Sequence, residues 1–329
     1  MGTKFCINKV AGKEELYDRD NERDNLIKIL SNGRSVAVTA IRGMGKSSLV
    51  KASTANIDKV VWVDLEDVYN SIDLVQQLIN GFALQKIAGI NEKVIELNKL
   101  KQKIGTANFH VKNFLDIFFG SHVFSDSTVI VVDEITRTRI LGSLYNHFMN
   151  ILYHGVKESR LQIIMISSEI GAVYETLKSK QLPLGDVLEL IDLKPFDEPT
   201  SLNFLYDGLE FYGSKCPKWS ISEYYRISEG IPVWLTLSGV RMVEGLCSPN
   251  GIYTDDRAVK YVLKQIVGLS KKEIEMLRLI SKKQHMSLAG THLRRSTNSL
   301  IKKGLVVKTS SGFMILDPLM DYMLRNEIL

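Results

Sequence analysis

Residues 34–53 read RSVAVTAIRGMGKSSLVKAS, and this run constrains the fold more than any other in the 329-residue chain. A short apolar segment, RSVAVTA, has the length and β-branched content of a buried strand. A glycine loop follows, and KSSLVKAS then starts a helix. Ala40–Ser47 fits the phosphate-loop pattern GxxxxGK[ST] at seven of eight positions, with Ala40 in place of the first glycine. The residue types follow from the task. Successive backbone N–H groups and a helix N-terminus point at an anion, and Gly43 and Gly45 let the backbone curl without a side chain in the way. The candidate nucleotide-binding residues are therefore Arg42, Gly43, Met44, Gly45, Lys46, Ser47 and Ser48. Lys46 would reach the β- and γ-phosphates, and Ser47 would ligate Mg²⁺.

A strand–loop–helix of this kind needs a parallel sheet around it, and the remaining patterning supplies one. Residues 59–65, 127–132, 161–166 and 187–193 are further short apolar strand candidates separated by helical stretches, among them 72–104 and 138–157. Five such strands predict an α/β fold with a parallel sheet covered on both faces. The third strand, VIVVDE, ends in Asp133-Glu134, about 85 residues beyond the loop. Its carboxyl end would deliver both acids to the crevice that holds the loop. Asp133 is the candidate Mg²⁺ ligand and Glu134 the candidate general base for an attacking water.

From Asp197 the pattern turns helical, over 199–211, 220–228, 232–245 and 257–267. Residues 271–281 and 291–303 and a hairpin at 304–317, turning at Ser310-Ser311-Gly312, predict a winged helix-turn-helix. The expected units are a P-loop core (1–195), a helical lid (196–256) and a winged helix (257–329). Charge follows this division. The whole chain carries only +5, but residues 257–329 hold 14 basic and 5 acidic residues, a net +9, against −4 for the rest. Segregated positive charge suits a phosphate backbone. In a winged helix, 291–303 would enter the major groove of duplex DNA, presenting His292, Arg294, Arg295, Lys302 and Lys303, with Lys308 on the wing.

These motifs together resemble the archaeal-ATPase family of STAND P-loop NTPases, relatives of the AAA+ proteins, over most of the chain. YDRDNERDNLIKIL (17–30) is similar to the family's FxNRExELxxL segment, with Asp18, Arg19 and Glu22 matching and Arg23 departing. The resemblance implies that Asp18 and Arg19 lie near the adenine, that Ser168 in ISSEIGAV is the polar sensor of the γ-phosphate, and that Pro232 in EGIPVWL overlies the nucleotide. It also implies ATP/ADP as the nucleotide. The family commonly has an arginine after a Pro-Leu-Gly run before the fifth strand. Here Pro183-Leu184-Gly185 is followed by Asp186. Slow intrinsic hydrolysis is expected, or an arginine from Arg137, Arg139, Arg160 or a partner.

The leading expectation is an ATP-binding, Mg²⁺-dependent ATPase acting as a nucleotide-controlled switch on a DNA-contacting winged helix. Two other readings stay open: a non-hydrolysing, nucleotide-gated interaction or signalling module, and an origin-binding, replication-initiator-like protein. A homo-oligomer or a protein partner is compatible with each.

Composition excludes other classes. Charged residues make up 24% and hydrophobic ones 45%, ordinary for a globular chain. Cys6, Cys216 and Cys247 show no CxxC spacing, so neither a disulfide framework nor a zinc site is expected. No apolar run approaches a membrane span, and MGTKFCINKVAGKEE lacks a signal peptide's apolar stretch. A cytoplasmic protein in a reducing compartment is expected. His147 and His154 read as ordinary histidines, Phe114, Phe118 and Phe119 as core, and Tyr224, Tyr225 and Trp234 as packing around the lid.

Overall fold

The computed structural model describes residues 5, 16–83, 108–120, 128–159, 161–179, 184–283 and 291–329. Five strands form one sheet: β1 (Ser35–Thr39), β2 (Val60–Asp64), β3 (Val129–Asp133), β4 (Gln162–Ser167) and β5 (Leu188–Asp192). All pair in parallel, in the order β2-β3-β4-β1-β5. The central strands are buried along nearly their whole length, which is why they read as unbroken apolar runs. The order places β1 between β4 and β5, so the chain leaves β1 for the far edge and returns. Such a reversal opens a crevice at the carboxyl ends of the strands. The register sets Thr39 beside Ser167 and Asp192, and Asp64 beside Asp133, along that rim.

Helices cover both faces: α1 (Asp20–Ser31), α2 (Lys46–Ser53), α3 (Ser71–Ala83), α4 (Asn108–Gly120), α5 (Ser143–Lys157) and α6 (Ile170–Leu177). The expected helix 72–104 is observed to Ala83, and the rest of it lies outside the described residues. The expected helix 138–157 starts instead as a 3₁₀ turn, Ile135–Leu141, and becomes α-helical only after Gly142. Gly142 has φ +57°, a conformation incompatible with a continuous α-helix. Phe114, Phe118 and Phe119 on α4 are buried against Phe148 and Leu152 of α5.

Helices α7 (Glu198–Phe211), α8 (Lys218–Ser228), α9 (Pro232–Val243) and α10 (Asp256–Ile266) follow. Then come α11 (Lys271–Ser281), α12 (Thr291–Lys302), the antiparallel pair β6 (Val306–Thr309) and β7 (Gly312–Ile315), and α13 (Pro318–Arg325). Three caps fit their sequence. Asp197 accepts from Thr200 N–H at the start of α7, Ser270 and Glu273 form a capping box on α11, and Asp317 caps α13.

One apolar cluster runs from the α1 side of the sheet (Leu26, Val36, Ile164) through Leu205 and Trp234 to Leu277, Leu300 and Met320. The opposite face is a separate cluster of Val61, Ile130, Leu115 and Phe148. Buried Asp317 joins the first cluster's parts, accepting from the Trp234 indole N–H at 3.0 Å and the Gln265 amide at 3.1 Å.

The cysteine expectation is corrected. Cys216 and Cys247 are bonded to each other as a disulfide. Their 31-residue separation concealed the pairing, because it is the α7–α8 connection and the end of α9 that bring them together. Among the described residues no helix is long and apolar enough to cross a membrane.

Candidate nucleotide site

The loop between β1 and α2 curls through Gly43 (φ +87°) and Gly45 (φ +85°), which hold a left-handed backbone as the pattern requires. Met44 points inward and is buried, so its place in the loop is packing. Ser48 occupies the first turn of α2. Lys46, at the head of α2, is 6% exposed. Its Nζ donates to Ala40 O at 3.0 Å, Ile41 O at 3.1 Å and Ser168 Oγ at 3.0 Å. Three donors meet three acceptors, so the ammonium is saturated within the chain. Burial pushes its pKa down, while Glu134 and Asp133 hold it up.

The two acids stand where the sequence places them. Ser47 Oγ donates to Asp133 Oδ2 at 2.8 Å. Glu134 begins the 3₁₀ turn in a left-handed conformation, φ +53°. Its carboxylate accepts from the Ser168 hydroxyl and, at 3.1 Å, from the Ser168 amide. Ser168 thereby links Lys46 to Glu134. Asp133 is pushed up to about 7 by burial first and by the Glu134 charge second, with the Ser47 hydrogen bond opposing. A carboxylate so disfavoured calls for a cation. One carboxylate and one hydroxyl are hard oxygen donors, the set that Mg²⁺ takes with phosphates and water. Among the described residues no group of three or more His, Cys, Asp or Glu could hold a metal alone.

Sequence reasoning missed the neighbours that close the loop from outside. Arg42 ion-pairs with Glu66, just beyond β2. The Val233 amide at the start of α9 donates to Gly43 O at 3.1 Å. A methyl group on Gly43 would collide with Val233 Cγ1 and lie 2.9 Å from the Tyr261 hydroxyl. None of these contacts has a local sequence signal, although EGIPVWL does mark the right turn. Pro232 opens α9 there, and the Phe196 amide donates to Gly230 O at 2.9 Å, so the KPF and EGIP segments touch. Arg19 is buried beneath them. Its guanidinium sits 4.7 Å from the Phe196 ring centroid and donates to Lys194 O at 2.6 Å and Glu22 at 2.9 Å. Asp18 is exposed, with φ +50°. Asp186 is exposed in a 3₁₀ turn.

A cavity of about 470 Å³ opens from Glu134 and Ser168 toward the C-terminal elements. Arg42, Arg137, Arg139, Lys302 and Lys303 line it. Arg160 and Pro183 lie outside the described residues. The helix proposed for DNA, α12, rests its C-terminal end on this region. Gly171 of α6 lies so close that a methyl there would be 2.6 Å from Ile301 O, and one on Gly304 would be 2.7 Å from Ser168 O. Lys302 pairs with Glu175 at 2.7 Å and Lys303 with Glu273 at 2.7 Å. Both lysines are therefore paired within their own chain, although Lys302 stays exposed. Arg294, Arg295 and Lys308 are exposed, and the His292 side chain lies outside the described residues. His147 pairs with Asp116 at 3.0 Å.

The sheet order, the glycine loop and the strand-end acids define the fold of a P-loop NTPase. Solved structures agree over essentially the full length. The Walker-type ATPase PABY2304 of Pyrococcus abyssi is 21% identical, with a TM-score of 0.72 over 98% of this chain and 99% of that one. The ORC2 protein of Aeropyrum pernix, solved as ADPNP–ADP complexes, is 13% identical with a TM-score of 0.60 over 98% of each chain. Cdc6p of Pyrobaculum aerophilum is 14% identical with a TM-score of 0.51 over 99% and 98%. No protein-family profile matches the sequence, and no curated protein does. Likeness at such identities establishes the fold.

Proposed function

We propose that this protein is an ATP-binding, Mg²⁺-dependent P-loop ATPase of slow turnover, a STAND-type switch whose nucleotide state governs a C-terminal winged helix that contacts duplex DNA. The observation that carries the reading is the chain of contacts from Lys46 through Ser168 to Glu134, with Ser168's carbonyl against Gly304 at the end of α12. Whatever moves Ser168 moves the seat of that helix.

In this reading the loop amides of Gly43–Ser48 cradle the phosphates, and Lys46 exchanges its three internal acceptors for β- and γ-oxygens. Ser47 and Asp133 would hold Mg²⁺, which would supply neutralisation of the phosphate charge. Glu134 takes the proton of the attacking water. It must first give up both hydrogen bonds from Ser168, and an acid, Asp186, stands where the resemblance expects arginine. The first feature supports slow hydrolysis, and the second leaves the charge on the γ-phosphate to an arginine from elsewhere in the chain or from a partner. The nucleotide complex of the Aeropyrum protein, alike over its whole length, supports ATP/ADP as the ligand. The likeness to ORC2 and Cdc6p also favours a second reading, a replication-initiator-like protein.

Turnover and nucleotide affinity, measured with and without duplex DNA, test the proposal. Lys46→Ala should abolish ATP binding. Glu134→Gln should keep binding and lose hydrolysis. Wild-type turnover above several per second, or hydrolysis surviving Glu134→Gln, overturns it.

A further inference from the structure

We propose that Arg137 is the catalytic cation of the ATPase reaction, meeting the γ-phosphoryl oxygens from within the same chain. The inference rests on the ATPase reading above and assigns the charge that Asp186 fails to supply.

The argument starts with position. Arg137 lies on the 3₁₀ turn that Glu134 opens, and its amide donates to Glu134 O at 2.9 Å. Its side chain lines the same cavity as Glu134 and Ser168. Ser168, which Lys46 and Glu134 both contact, lines that cavity too, and in this proposal the γ-phosphate held by Lys46 lies at the cavity's edge.

Elimination then separates Arg137 from the other cations on the wall. Arg42 is paired with Glu66. Arg139 and Lys302 share Glu175, at 3.0 and 2.7 Å. Lys303 is paired with Glu273 at 2.7 Å. Among the described residues Arg137 has no ion pair within 4 Å; the acid its charge acts on is Glu169, on the same cavity wall. The groups from the C-terminal helices that meet the loop are Val233 and Tyr261, neither of them cationic. Arg241 of α9 and Arg257 of α10 are engaged by Asp255, at 2.6 and 2.8 Å.

In the reaction, water oxygen bonds to the γ-phosphorus and its proton passes to Glu134. The bond from γ-phosphorus to the β,γ-bridging oxygen breaks, its electron pair leaving with ADP, and inorganic phosphate is the second product. Negative charge on the transferring group is shared with the guanidinium, whose donors match phosphate oxygens in pairs.

The test is Arg137→Ala and Arg137→Lys in the full chain. Two measurements are made: turnover at saturating ATP, and calorimetric affinity for the β,γ-imido analogue of ATP and for ADP. Arg137→Ala should lower turnover by about 10³-fold, the low end for such an arginine. It should also lose about tenfold in the ratio of analogue to ADP affinity, with ADP affinity itself unchanged. Millimolar guanidinium should restore part of the turnover, and Arg137→Lys should stand between the two. Wild-type turnover and an unaltered affinity ratio in Arg137→Ala overturn the assignment while leaving the ATPase reading intact. A wild-type chain that binds neither nucleotide overturns both.

Discussion

Gly43 and Gly45 have nearly the same backbone conformation and opposite surroundings. Both have φ near +86°, where an added Cβ costs roughly 1–2 kcal/mol. Nothing lies within 4 Å of a methyl on Gly45, whereas one on Gly43 meets Val233 and Tyr261. Gly43→Ala should therefore destabilise the chain by about 3 kcal/mol or more, adding an overpacking cost of about 1–3 kcal/mol to the strain. Gly45→Ala should stay near 1–2 kcal/mol, the strain alone. Urea unfolding of the two variants separates them, and equal midpoints would show that Val233 and Tyr261 do not hold the loop. At this scale the sequence is informative about what is local. GMGKS shows which backbone must curl, and VIVVDE shows where the acids fall. It is silent on Val233, Tyr261 and Glu66, because their contacts with the loop depend on how distant elements return to it. Ser168 is intermediate: only resemblance nominates it as a sensor, while its hydrogen bonds to both Lys46 and Glu134 required the fold.

Among the elements, α12 is the one whose role the sequence describes by composition and the structure by placement. Its basic residues divide by position along the helix. Arg294 and Arg295 are exposed near its start, while Lys302 and Lys303, around its end, are neutralised by Glu175 and Glu273. Composition counts the four equally, since pairing with α6 and α11 cannot be read from charge. Phosphate contacts set the salt dependence of DNA binding, about one unit of slope for each one lost. The double variant Arg294→Ala, Arg295→Ala should weaken binding to duplex DNA and reduce the slope of log affinity against log salt by about 2. Lys302→Ala should leave that slope near wild type, since the lysine is already paired. Filter binding across a salt series decides this, and a larger loss from Lys302→Ala would show that α12 leaves α6 to bind DNA. The strands, by contrast, were legible almost to the residue, because burial on both faces leaves an uninterrupted apolar run. Helix α4 and the break at Gly142 were not, because neither carries a cap or a clean period in sequence.

For the molecule as a whole, the sequence suggests three units, with a net −4 over the first two together and +9 on the last. Charge segregation says nothing about how firmly such units are joined. The apolar cluster does, since it is continuous from Leu26 and Val36 through Trp234 to Met320 and Leu324. Polar contacts reinforce it. Asp317 is buried and ties Trp234 and Gln265 to the cap of α13, and Tyr253 stacks on Tyr322 with ring centroids 3.5 Å apart. Elements that share one core lose it together, so the chain should unfold in a single calorimetric transition with equal van't Hoff and calorimetric enthalpies. Trp234→Phe removes one donor to a buried carboxylate and should cost about 1–3 kcal/mol. It should lower that single transition rather than split it. A second transition appearing in the variant, or already present in the wild type, would mean that residues 257–329 fold separately. The contact between Ser168 and Gly304 would then join two bodies that can part without unfolding.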